Sequence, residues 1–200
     1  MSKALGILVS GRGSNMQSII AACESGEIEA KVKIVISNNV DAPALKFARE
    51  KSINSVHLSS RTHPDVDELD LAMLELLQNE GVDLVILAGF MKKIGPQTLN
   101  HFKGRIINIH PSLLPKYGGK GMFGLHVHQA VIDNHESETG VTIHLVDNEY
   151  DQGAILAQET VKVEEIDDSE SLAKKVLQVE HRLYKEIIQK IIDGSIILPK

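Results

Sequence analysis

The chain has 200 residues, 42% of them hydrophobic and 24% charged, with a formal net charge of −6. That balance suits a soluble globular chain of one domain, residues 1–200, and argues against nucleic-acid binding, which calls for a basic face. The single cysteine, Cys23, excludes an intrachain disulfide and fits a reducing compartment. No apolar stretch approaches the ~20 residues a membrane helix needs, and the N-terminus opens on a strand-like run, not a charged leader, so a cytoplasmic protein without a membrane partner is expected.

The apolar runs are short and rich in β-branched residues: 4–9 (ALGILV), 31–37 (KVKIVIS), 54–58 (NSVHL), 82–88 (VDLVILA) and 105–109 (RIINI). Runs of this kind predict parallel strands buried on both faces. Between them, apolar residues recur at helical spacing over 15–25, 42–51 and 65–80, with Gly81 closing the third. Strands alternating with such helices predict βαβ units, and hence an α/β, Rossmann-like sheet with helices on both faces. After residue 110 the rhythm changes. A long irregular loop, 111–125, leads to a short helix near 127–134. Strands over 140–146 and 154–163 follow, at least one of them antiparallel or near the sheet edge. In the first, Val141, Ile143 and Leu145 alternate with Thr142 and His144, which predicts opposite faces. A final helix runs from about Ser169, read as its N-cap, to Asp193.

In open α/β sheets, ligands bind at the carboxyl ends of the strands, where strand order reverses. The loops there read SGRGSN (10–15), GFMKKIGP (89–96) and HPSLLPKYGG (110–119). The first opens a helix, and its glycines with Ser14 and Asn15 suit an anion at a helix N-terminus; a plain glycine-rich turn is the alternative. A third glycine and an acidic residue after strand two are both missing, so one phosphate fits better than a dinucleotide. Asn108 and His110 are two apart and project to one side of their strand, an amide and an imidazole able to stabilise an oxyanion together. A capping Asn and a core His are the alternative. Asp151, in the loop DNEYDQG, could partner the imidazole and raise its pKa, or belong to a solvated turn. His144 lies nearby as a supporting or structural residue. Glu180 falls on the apolar stripe of the last helix, where a carboxylate needs a partner. His126 and His128 are two apart, without a carboxylate or cysteine cluster, and give no metal face.

Taken in order, GRGSN, LAGFMKKIGP, NIHPSLLPKY, GVTIH and DQG resemble the phosphoribosylglycinamide formyltransferase family of folate-dependent enzymes, over nearly the whole chain. The resemblance implies a mostly parallel seven-stranded sheet, with a nucleotide-binding half of about 1–100 and a catalytic, folate-binding half of about 101–200. It implies catalytic residues Asn108, His110 and Asp151. It places the nucleotide phosphate on Gly13, Ser14 and Asn15, with Arg12 beside them, and the ribose on Glu180. It places folate on Met91, Lys92, Lys93 and Ile94, on Asn108, and on Asp147, Asn148, Glu149, Tyr150 and Asp151. Arg12 stands where many members have Asn, Lys92-Lys93 replaces an Arg-aliphatic pair, and the loop after Tyr117 is longer than in shorter members. Arg61 is the nearest candidate for the family's substrate-binding Arg.

The implied reaction is formyl transfer from 10-formyltetrahydrofolate, a co-substrate, to the amine of glycinamide ribonucleotide, with no metal, in a monomer or homodimer. A covalent route through Ser112 ranks low, because an amine attacker needs no such relay. The alternatives are a formyltetrahydrofolate hydrolase, which has an extra regulatory domain in front, and another formyltransferase of the class. The one that acts on methionyl-tRNA would need an RNA-binding domain and a basic surface.

Overall fold

A computed structural model describes residues 3–199. Its elements are β1 (Lys3–Val9), α1 (Ser14–Ser25), β2 (Ala30–Ser37), α2 (Pro43–Glu50), β3 (Asn54–His57), α3 (Val66–Asn79), β4 (Leu84–Leu87), α4 (Pro96–His101), β5 (Ile106–His110), α5 (Leu125–Asp133), β6 (Glu138–Leu145), β7 (Ile155–Lys162) and α6 (Ser169–Ile192). The seven strands form one sheet in the order β3-β2-β1-β4-β5-β6-β7. β3 through β5 run parallel, and β5-β6 and β6-β7 are antiparallel pairs.

Alternation along the strands divides the apolar side chains between two cores. Leu5, Ile7 and Val9 of β1 pack with Met16, Ile19, Leu172, Val176 and Tyr184 on the α1/α6 side. Leu8 packs with Ile34, Ile36, Met73, Leu77 and Phe102 on the α3/α4 side. Because both faces are covered, the central parallel strands β1 and β4 are apolar over nearly their whole length, the pattern visible in the sequence.

One sequence expectation needs correction, and two features of the fold were not read from the sequence. The N-cap of α6 is Asp168, not Ser169: its side chain accepts from the Ser171 amide at 2.7 Å, and Ser171 Oγ accepts from the Asp168 amide at 3.0 Å, a reciprocal capping box. Thr142 and His144 are buried like their apolar neighbours, because β6 lies inside the sheet and its second face is covered too. The Thr142 hydroxyl ties down the loop after β5, donating to Ser112 O at 2.6 Å and accepting from the Leu114 amide at 3.0 Å. Finally, α4 was not anticipated. It is six residues long, and its start is set by Pro96 at the first helical position and by Asp70 of α3, which accepts from the amides of Gln97 (2.7 Å) and Thr98 (3.1 Å). Gly95 is required there, since a Cβ would lie 2.1 Å from Asp70 Cγ. The clamp fixes the far end of the 89–95 loop, one wall of the site.

Candidate active site

Strand order reverses between β1 and β4, so the loops after these strands diverge over the carboxyl edge of the sheet. They are bonded to one another: the Ser10 amide donates to Gly89 O at 2.9 Å, and the Met91 amide donates to Ser10 Oγ at 2.8 Å. Together with the loops after β5 and β6 and with α6, they enclose a cavity of about 670 Å³.

At one end of the cavity stands the N-terminus of α1. The helix has no side-chain cap, so its first amides have no partner within the helix. Arg12, Ser14 and Asn15 line the wall; Gly13 does not. Gly13 instead shapes the turn. Its φ of 73° favours glycine, and a Cβ would lie 2.9 Å from that of Ala44. Glu180 also lines the wall, 8% exposed, and accepts from Asn15 Nδ2 at 2.9 Å. The buried carboxylate of the sequence pattern thus has a neutral partner. Burial pushes its pKa up to about 7, with the Asn15 bond opposing.

At the other end, β5 and β6 pair so that Asn108 faces His144 directly. His144 Nδ1 lies 2.8 Å from Leu145 O, which can only accept, so Nδ1 carries the proton and Nε2 accepts from Asn108 Nδ2 at 3.1 Å. The second N–H of the Asn108 amide is left for a ligand. Asp151 joins both histidines: Oδ2 lies 3.6 Å from His110 Nδ1, and Oδ1 lies 3.5 Å from His144 Nε2. The Gly119 amide donates to Asp151 Oδ2 at 2.8 Å. Burial alone would raise the Asp151 carboxyl; the nearby His144, the charge of His110 and the Gly119 amide outweigh it and hold the pKa below the usual range.

For His110 the electrostatic outcome differs from the expectation of a raised pKa. Burial lowers it, and this exceeds the upward pull of the Asp151 carboxylate and of Tyr117 O, which lies 2.7 Å from Nε2. Both ring nitrogens nevertheless face acceptors, a geometry made for an imidazolium. The neutral ring is favoured in the unliganded site by desolvation, and the charged ring is favoured by orientation once negative charge develops nearby.

Met91, Lys92, Lys93 and Ile94 line the cavity, as do Asp147, Glu149, Tyr150 and Asp151; Asn148 does not. Lys93 lies 3.9 Å from Glu149 and 5.9 Å from the Tyr150 ring centre, which joins the two wall segments. Arg61 sits in the turn after β3, outside the cavity lining. Ser112 is fully buried and donates to Lys116 O at 2.6 Å, a bond that holds the loop and leaves the hydroxyl without a base. Burial pushes the Cys23 thiol up to about 11, so it is no nucleophile. Among the described residues, no group of three or more His, Cys, Asp or Glu could hold a metal ion, and no helix is long and apolar enough to cross a membrane.

His128, weighed from the sequence only as a metal ligand and set aside, is a wall residue of the cavity. It is 4% exposed, its Nδ1 has no partner among the described residues, and burial, with the charge of His110, lowers its pKa to about 4. The signal was present: His128 adjoins Val127 and precedes Val131 by three, on the buried face of α5.

A family profile described as formyl transferase matches residues 3–188. Phosphoribosylglycinamide formyltransferase from Haemophilus influenzae is 38% identical over 97% of this chain and 89% of its own length. The chloroplastic phosphoribosylglycinamide formyltransferase of Arabidopsis thaliana is 40% identical over 97% of this chain and 67% of its own length. In structure, glycinamide ribonucleotide transformylase 1 from Symbiobacterium toebii superposes with a TM-score of 0.92 at 36% identity, over 99% of this chain and 91% of that one. The chain belongs to the formyl transferase family, among the phosphoribosylglycinamide formyltransferases.

Proposed function

We propose that the chain transfers the formyl group of 10-formyltetrahydrofolate to the primary amine of glycinamide ribonucleotide, a step of purine biosynthesis, with Asn108, His110 and Asp151 as its catalytic residues. One observation carries the reading: an oxyanion-stabilising cluster and a helix N-terminus suited to a phosphate stand at two ends of one cavity. The phosphate sits on the first amides of α1 with Ser14, Asn15 and Arg12, Gly13 shaping the turn, and Glu180 receives the ribose hydroxyls. Folate lies along Met91–Ile94 and the 147–151 loop. The α1 end joins Arg12, Ser14 and Asn15 to Glu180, and the folate wall joins Met91–Ile94 to the 147–151 loop, so both halves of the sequence serve one site and the chain is read as one domain, in the cytoplasm, without a nucleic-acid partner and as a monomer or homodimer.

The amine attacks the formyl carbon directly. Negative charge grows on the formyl oxygen, where the free N–H of Asn108 and the imidazolium of His110 stabilise it. Asp151 keeps its charge in the buried site and so favours the protonated ring as the oxyanion forms. It also orients a water that carries the proton shed by the attacking nitrogen to the departing folate nitrogen. His144 holds the Asn108 amide in its donor orientation.

The test mixes the protein with 10-formyltetrahydrofolate and glycinamide ribonucleotide and follows tetrahydrofolate release. Release that depends on the nucleotide is expected. Formate produced without the amine would instead mark a hydrolase, and no turnover would leave only a binding domain.

A further inference from the structure

The segment after β5 grips both members of the His110–Asp151 pair through its backbone. The Tyr117 carbonyl accepts from His110 Nε2 at 2.7 Å, and two residues later the Gly119 amide donates to Asp151 Oδ2 at 2.8 Å. The placement of residues 117–119 therefore sets how imidazole and carboxylate face each other. Gly118 between them has no room for a side chain, since a Cβ would lie 2.5 Å from Leu114 Cδ2 and 3.3 Å from Asp151 Cβ. Tyr117 itself has a φ of 56°, a left-handed conformation that a bulky residue keeps only when its surroundings enforce it.

The enforcement comes from outside the cavity. The Tyr117 hydroxyl donates to Glu136 Oε1 at 2.9 Å, and Lys116 Nζ donates to both carboxylate oxygens at 3.0 and 3.1 Å. Glu136 lies in the turn between α5 and β6, where its amide is fixed on Val131 O at 3.2 Å. Lys116 and Tyr117 hold its carboxyl below the usual range, so the anchor is an anion at neutral pH. On the inner side, Ser112 Oγ donates to Lys116 O. Neither Tyr117 nor Glu136 lines the cavity.

We propose that Glu136 and the Tyr117 hydroxyl are positioning residues for the formyl transfer: they fix the 116–119 segment so that its backbone carbonyl and amide hold His110 and Asp151 in register. The inference rests on the reading of His110 and Asp151 as the catalytic pair. The titratable groups facing His110 are Asp151, His144 and His128. If the anchor loosens, His110 loses the carbonyl that favours its charged form, while these groups stay. Turnover should fall and the protonated ring should be harder to reach, with both substrates bound as before.

The experiment measures kcat, both KM values and the pH profile for Tyr117→Phe, Glu136→Ala and Glu136→Gln, and follows the His110 ring by NMR in the free protein. Tyr117→Phe and Glu136→Ala should lower kcat roughly tenfold, as mispositioning does, with each KM within about twofold. The His110 titration should move to lower pH. Glu136→Gln, which keeps an acceptor for the hydroxyl, should recover most of the rate. An unchanged kcat and unchanged His110 titration, with only a lower Tm, would overturn the proposal and leave a structural staple. So would a rise in KM alone. His110→Ala serves as the control: if it leaves kcat intact, the catalytic reading fails; if it abolishes turnover while Tyr117→Phe leaves kcat and the His110 titration unchanged, only the anchor fails.

Discussion

The two ends of the cavity solve the placement of polar groups in opposite ways. At the α1 end, the anion-binding groups are backbone amides of a helix terminus, and the one buried carboxyl, Glu180, meets a neutral amide. Among the described residues no charged group compensates it, and its pKa rises. At the β5/β6 end, four polar side chains bond to one another, and the carboxyl among them is held low. The first arrangement waits for a ligand to complete it. The second is complete before the ligand arrives. An end built for binding should therefore answer to mutation in affinity and in proton linkage, and an end built for chemistry in rate.

The largest effect should come from the chemical end. Asn108→Ala and His110→Ala should each cost ~10²–10³ in kcat with little change in either KM, because the charge they meet exists only in the transition state. The double mutant His110→Ala/Asp151→Asn should lose much less than the product of the single losses, since the two act as one unit. Full multiplicativity in steady-state kinetics would separate Asp151 from the cluster. Next in size is Glu180→Gln. A carboxyl whose pKa is raised to about 7 in the folded protein, from a usual value of 4.5, contributes stability present at acid pH and lost as pH rises from about 4.5 through 7. By linkage that loss is on the order of 3 kcal/mol at pH 8. Glu180→Gln should flatten this pH dependence, raise Tm above the parent at pH 8, and weaken nucleotide binding. A Tm that falls at every pH would make the carboxylate a structural partner. Smaller still is the shift in Asp151→Asn. His110 loses the anion that partly offsets its burial, so its pKa drops further and the limb requiring the protonated ring moves to lower pH. An unmoved profile would remove Asp151 from the pair.

Much of this was legible in the chain itself, for physical reasons. Strands buried on two faces must be apolar nearly throughout, so runs such as 4–9 announced a covered parallel sheet. Asn108 and His110 stood out because a strand gains nothing from polar side chains at a buried end. Glu180 stood out because it interrupts an apolar stripe. What depends on register across strands was hidden. His144 became the partner of Asn108 only through the β5/β6 pairing, which no local pattern encodes. The pKa of His110 was misjudged because a neighbouring carboxylate can be read from sequence, while the depth of burial opposing it is tertiary. Helix α4, at six residues, is too short for a 3.6-residue period to emerge, and its start is fixed by Asp70, 26 positions before Pro96.

One buried hydroxyl ties the two ends together. Tyr184 is fully buried in α6, and its OH lies 3.0 Å from Leu87 O, at the end of β4, and 3.1 Å from Ile107 O, within β5. Glu180 lies one helical turn earlier on the same face. A single rigid rod thus touches the nucleotide wall with one residue and the two strands with the next turn. Any slow breathing that lifts α6 from the sheet releases both contacts in the same event, so amides around Leu87 in β4 and Ile107 in β5 should exchange with deuterium in step with the middle of α6. A nucleotide seated against Glu180 would slow that exchange, stiffening strand segments it never touches.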